Sequence, residues 1–195
     1  MKIPSNYQNV KSMPDDPPKS SAYGTATSNC EVFALMYPIL FSEAMPFSNE
    51  ASIIRNIRAS LAENQALIEV KSGRTKSGDP YVYSIVKTLM EPHGVQYTVI
   101  LQIMNHVSGD VENLRAFFSE IGMTGVRDAQ VYSALVKQGY LKNGDNETWM
   151  KDQYDSSLKG RLLMNLSEYE NFDEFFPEHP LSVARSTIKY IVENN

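Results

Sequence analysis

The chain has one cysteine, one tryptophan and three histidines in 195 residues. A lone thiol, Cys30, cannot form an internal disulfide, which fits a reducing compartment. None of His93, His106 and His179 has a second histidine or a cysteine at ligand spacing, so no metal site is expected. No apolar run approaches the roughly 18 residues a membrane-spanning helix needs. Residues after Met1-Lys2-Ile3-Pro4 lack the apolar stretch of a secretory signal, and the expectation is a cytoplasmic protein. Nor is there a repeat of solenoid or propeller period. Excess positive charge is also missing: the net charge is −5, without the basic stripe of a nucleic-acid binder.

What is present is a globular balance, 42% apolar and 21% charged. A chain of this size buries a core without staples. Residues 143–180 hold nine acidic and three basic side chains, so the acidity is concentrated there. Three segments are predicted. Residues 1–28 carry four of the ten prolines and only eight apolar residues, the composition of a flexible arm. Residues 29–139 read as an α+β core, and residues 140–195 as an acidic, aromatic helical extension packing on it.

Within the core, residues 31–37 read as a buried strand stopped by Pro38. Ser48 then caps a helix that carries Ile53, Ile54, Ile57 and Leu61 on one face. A short strand covers 67–71. Residues 81–90 and 95–104, rich in Tyr, Val and Ile, form a hairpin around Glu91, Pro92, His93 and Gly94. Asp110 is placed to cap a helix with Val111, Leu114, Phe117, Phe118 and Ile121 in a stripe, and a further helix spans 126–138. In the extension, Trp149, Leu162, Leu163, Phe172, Phe175 and Phe176 stand among acidic residues. Ser167 and Glu170 have capping-box spacing, and Pro180 opens a last helix bearing Leu181, Ala184, Ile188 and Ile191.

Pairing Met90 with Val95 puts Val82, Ser84, Val86, Thr88 and Met90 beside Val95, Tyr97, Val99, Leu101 and Ile103 on a core face. The reverse face then holds Tyr81, Tyr83, Ile85, Lys87 and Leu89 beside Gln96, Thr98, Ile100, Gln102 and Met104. It is half-apolar and rich in tyrosine, which suits recognition, unless the C-terminal aromatics cover it. A slip of one residue would exchange these assignments.

Chemistry-bearing motifs are sparse. Gly73 and Gly78 flank Arg74-Thr75-Lys76-Ser77 at phosphate-loop spacing, but Asp79-Pro80 stands where Lys and Ser or Thr are needed, and a strand follows. Lys71, Arg74 and Lys76 read as solvated charges or as a small basic patch for an acidic partner, the chain's own acidic segment included. Cys30 lacks a nucleophile motif and reads as a small buried residue. Asp173 and Glu174 read as acidic surface, and no serine sits in a nucleophile elbow.

Residues 30–138, by the order strand, long helix, the 81–90 and 95–104 hairpin and a following helix, resemble the PsbP-like fold. That resemblance implies a mainly antiparallel sheet with a long helix crossover in α/β/α layers. It is similar in this to the periplasmic protein DcrB, a Ran-binding nuclear-transport factor and chaperones of secreted bacterial effectors. Most of these bind proteins, and no functional residue carries over. The string Phe176-Pro177-Glu178-His179-Pro180-Leu181-Ser182 with Arg185 resembles a terminal motif of proteins from Gram-positive gut bacteria, which implies a bacterial origin and no activity.

The expected function is a non-enzymatic, protein-binding module, adaptor-like or chaperone-like. Its candidate contact residues are Tyr81, Tyr83, Ile85, Ile100, Gln102 and Met104, with Arg74 and Lys76 beside them; no cofactor, metal, nucleic acid or membrane is implicated. One alternative is a thiol hydrolase using Cys30 with a distant histidine. Another is a domain that self-assembles through strand 31–37 or the open hairpin edge.

Overall fold

The computed structural model describes residues 1–91, 94–158 and 163–195. The expected turn residues Pro92 and His93, and Leu162, lie outside the described residues. A seven-stranded antiparallel sheet is built from β1 (Gln8–Val10), β2 (Ser21–Ala26), β3 (Cys30–Ile39), β4 (Gln65–Arg74), β5 (Pro80–Leu89), β6 (Val95–Met104) and β7 (Val111–Glu120). Its spatial order is β1-β2-β3-β7-β6-β5-β4. Helix α1 (Glu50–Ser60) crosses from β3 to β4 on one face, and α4 (Pro180–Asn194) lies on the other. The architecture is therefore α+β in three layers. Helix α2 (Val126–Lys137), the short α3 (Asn146–Trp149) and the two-residue ribbon β8 (Met150–Lys151) and β9 (Met164–Asn165) form a side lobe. No described helix is long and apolar enough to cross a membrane.

Four expectations are corrected. The segment 1–28 is no loose arm, because β1 and β2 extend the sheet from β3 and Ala22 is buried. Its polar composition suits an edge, since β1 is exposed along its whole length. The Tyr7 hydroxyl also meets Thr187 Oγ1 at 2.8 Å, tying this segment to α4.

The stretch after Asp110 is strand β7, not a helix. Leu114, Ala116 and Phe118 alternate inward, which is strand periodicity, while Phe117 points to the opposite face. Asp110 closes the β6–β7 hairpin: its carbonyl accepts the Asn105 N–H at 2.8 Å.

The β5–β6 hairpin is shifted by one residue from the expected pairing, so that Leu89 opposes Val95. Met90 N–H donates to the Gly94 carbonyl at 3.1 Å, and Gly94 adopts φ +107°, which keeps Met90 in the connection. Because side chains alternate, the slip redistributes both faces. Tyr81, Tyr83, Ile85 and Lys87 now share a face with Tyr97, Val99, Leu101 and Ile103. Val82, Ser84 and Val86 share the other with Ile100, Gln102 and Met104.

Finally, the first of these faces is covered by the protein's own last helix. Leu181, Ala184, Ile188 and Ile191 pack against Tyr83, Ile85, Tyr97, Val99 and Leu101 in the main core. His179 caps α4 by accepting the Leu181 N–H on Nδ1, with Pro180 in the first turn. On the opposite face, Ile53 of α1 packs with Leu67, Val70 and Val82, while Phe33, Ile100 and Phe117 belong to none of the packed apolar clusters.

Smaller shifts occur at helix starts. Asn49, not Ser48, caps α1, and the capping box around 167 is formed by Asn165 and Glu168, two residues earlier than expected.

Candidate functional site

Between β4–β5 and the segment 170–192 lies an open groove of about 800 Å³. Its floor carries Glu69, Lys71, Tyr81 and Tyr83; its far wall carries Glu170, Asp173, Glu174, Arg185 and Lys189. A β-bulge at Leu67–Glu69 shapes the floor, because Ile68 joins the core under α4 while the next residue reaches Arg185. Tyr81 and Tyr83 stack with ring centroids 6.3 Å apart and 13° between planes. Gly73 makes room for this: a Cβ there would lie 2.8 Å from the Tyr81 hydroxyl oxygen.

The deeper charges of the groove are paired with one another. The Glu69 carboxylate accepts from Arg185 Nε at 2.9 Å, from Lys71 Nζ at 2.6 Å and from the Tyr83 hydroxyl. Burial pushes the Glu69 carboxyl up, but the Arg185 charge and the Lys71 and Tyr83 hydrogen bonds outweigh it and hold the group below the usual carboxylate range. Burial and the neighbouring Glu69 charge push the Tyr83 hydroxyl well above its ordinary range. Arg185 continues to Asp173 at 3.2 Å and to the Glu168 carbonyl at 2.9 Å.

Behind the groove a second, fully enclosed set of charges joins sheet, side lobe and α4. Arg127 is 1% exposed, and all five of its N–H groups have acceptors. Nε donates to the Ser167 carbonyl, Nη1 to Ser182 Oγ and His179 Nδ1, and Nη2 to the Tyr169 carbonyl and Asp173. Glu168, also enclosed, accepts from Lys87 Nζ at 2.8 Å, the Tyr97 hydroxyl at 2.6 Å and the Asn165 N–H at 2.8 Å. Such buried charges persist only when every polar atom is answered, as here.

The expected contact residues are divided between these places. Tyr81 and Tyr83 line the groove, Tyr81 half-buried and Tyr83 buried; Ile85 is sealed beneath α4. Ile100, Gln102 and Met104 lie on the opposite face, where Gln102 is buried and accepts the Met45 N–H at 2.7 Å. Arg74 donates to the Gly78 carbonyl at the β4–β5 turn, and Lys76 is exposed there, its N–H bonded to the Val192 carbonyl. Of the basic patch, Lys71 does meet the chain's own acidic segment, at Glu170, 3.4 Å away.

Cys30 is fully buried in the main core, and burial raises its thiol to about 12. A sealed thiol of that kind is no nucleophile, which removes the hydrolase alternative. The proposed self-assembly routes are closed as well, since β3 and the hairpin are interior strands. At the outer edge of β4, Val70 N–H donates to the Tyr154 hydroxyl and Ser72 N–H to Glu50.

Sequence reasoning gave Glu69 and Arg127 no role, set Lys87 on the reverse face without a partner and met Arg185 only in the terminal string. The available signal was a charge inside an apolar strand, at Glu69 between Ile68 and Val70 and at Lys87 near Val86, which demands a buried partner.

No family model matches the chain, and no curated protein matches it. Among solved structures, it is similar to cyanobacterial PsbP (CyanoP) from Synechocystis sp. PCC 6803. The identity is 12%, covering 70% of this chain and 81% of that one, with a TM-score of 0.39. The likeness is a distant one of fold.

Proposed function

We propose that the protein is a non-catalytic binding module that holds an extended basic segment of another protein in the groove between β5 and α4. The observation carrying this reading is the contrast between the groove's depth and its rim. Inside, Glu69, Asp173 and Arg185 answer one another, with the exposed Lys71 joined to Glu69; at the rim, Tyr81 Oη, Asn171 and Glu174 have no hydrogen-bond or ion-pair partner among the described residues. A floor of charges paired with one another is pre-organised, which favours binding. Glu170 and Glu174 belong to the acidic stretch, and the Tyr81 ring offers a face to an ammonium or guanidinium group. The contact residues first expected are split, Ile85 under α4 and Ile100, Gln102 and Met104 on the opposite face, so on this reading the groove that keeps Tyr81 and Tyr83 takes the binding role.

Calorimetric titration with acetyl-(Lys-Ala)₃-amide and its glutamate counterpart tests the reading. The lysine peptide should bind and the glutamate peptide should not. Glu174→Gln and Tyr81→Ala should each weaken binding by roughly three- to thirty-fold, the range of one cation–π or partly screened charge contact. Equal binding of both peptides, unchanged affinity in both variants, or no binding of the lysine peptide would overturn it.

A further inference from the structure

On the other side of Pro177 from the groove lies a second recess, of about 230 Å³. Its walls are mainly apolar, from Met123 and Val126 to Phe175 and Phe176. Met123 is 77% exposed and Phe175 is 69% exposed, so both large side chains stand open to solvent. Among the polar groups lining the recess, His179 is only 8% exposed.

The hydrogen bonds of His179 fix its tautomer. Leu181 N–H at 3.3 Å and the Arg127 guanidinium at 3.4 Å both approach Nδ1, which must carry the lone pair. Burial, then the positive charges of Arg127, Lys87 and Arg185, hold the ring neutral, its pKa lowered to about 3. The proton is therefore on Nε2, and among the described residues nothing accepts it. A nearly enclosed ring whose one unpartnered donor still reaches solvent, in a recess flanked by exposed apolar side chains, can give that donor to an occupant. The carboxylates of Glu120 and Glu178 also line the recess and favour a cation beside the occupant.

We infer that this recess receives an apolar side chain of a partner protein, with a carbonyl of that partner accepting from His179 Nε2–H and a lysine or arginine next to it in sequence meeting Glu120 or Glu178. The inference rests on the binding reading and refines the partner: an apolar anchor adjoining a basic residue. Exposed Met and Phe around a small pocket are the adaptable and the rigid components of such a contact.

The test is an NMR titration of the whole chain with acetyl-Leu-Lys-amide, acetyl-Ser-Lys-amide and acetyl-Leu-Glu-amide, following the Met123 methyl and the His179 Nε2–H resonances. The Leu-Lys probe should move both resonances saturably, and the other two probes should move them at least about fivefold less at equal concentration, roughly 1 kcal/mol. The double variant Met123→Ala, Phe175→Ala should abolish the response, while Glu174→Gln in the groove should leave it intact. Failure of the groove therefore reads separately from failure of the recess. Unmoved resonances with Leu-Lys, equal responses to all three probes, or a response that survives the double variant would overturn the inference.

Discussion

His179 turns burial into a pH dependence. Its folded pKa of about 3 lies below the ordinary 6.5, so between these values the unfolded chain binds a proton that the folded chain refuses. Stability then falls as pH drops through that window, by up to about 1.4 kcal/mol per unit. Asparagine at this position can still cap α4 but does not titrate. Urea midpoints at pH 7 and 4.5 should therefore fall more in the parent than in His179→Asn, and parallel losses would contradict the assignment. Glu168 makes a second case. Removing it leaves the enclosed Tyr97 hydroxyl without its acceptor and the Lys87 charge unpaired, held only by the Leu163 carbonyl, and Glu168→Ala should cost about 3–5 kcal/mol in denaturant unfolding. Lys189 meets Glu193 only at 4.0 Å on the surface, and Lys189→Ala should cost less than about 0.5 kcal/mol. Cys30 should react with a disulfide reagent roughly a hundredfold more slowly in the folded chain than in urea.

At the scale of elements, the sequence was readable where one period stood alone. The strands of the hairpin, α2 and the Pro180 start of α4 sit where residue patterns placed them, because β-branched runs, a glycine stop and a proline at a helix start have few other uses. Residues 111–121 failed because apolar side chains at 111, 114, 117, 118 and 121 satisfy a helix, whereas 114, 116 and 118 satisfy a strand. Pairing with both β3 and β6 decided between them. The hairpin register failed for a more local reason. A glycine at φ +107° sets the length of the connection, and composition does not reveal which residues a turn retains. That position makes its own prediction: Gly94→Ala should destabilise by about 1–2 kcal/mol in thermal or urea unfolding, since an alanine side chain resists that backbone. The groove was legible only in fragments, as Lys71, Tyr81 and Tyr83, because its far wall comes from residues about a hundred positions later.

Across the whole molecule, the last third is part of the sheet's architecture. It supplies the helix that closes the main core, one wall of the groove and half of the lining of the recess. The charges tying it down run from Lys87 and Glu69 in the sheet to Glu168, Asp173 and Arg185. The acidic region is thus a structural clamp, and it gives the proposed binding surface its chemical character. Native-state hydrogen exchange tests this most directly. If α4 is integral to the fold, amides of residues 184–191 should exchange with the same opening free energy as those of residues 99–103 in β6, through global unfolding. Exchange of the α4 amides several-fold faster, in a unit that opens while β6 stays protected, would mean that the helix is a detachable cover and that the groove is no fixed feature of the molecule.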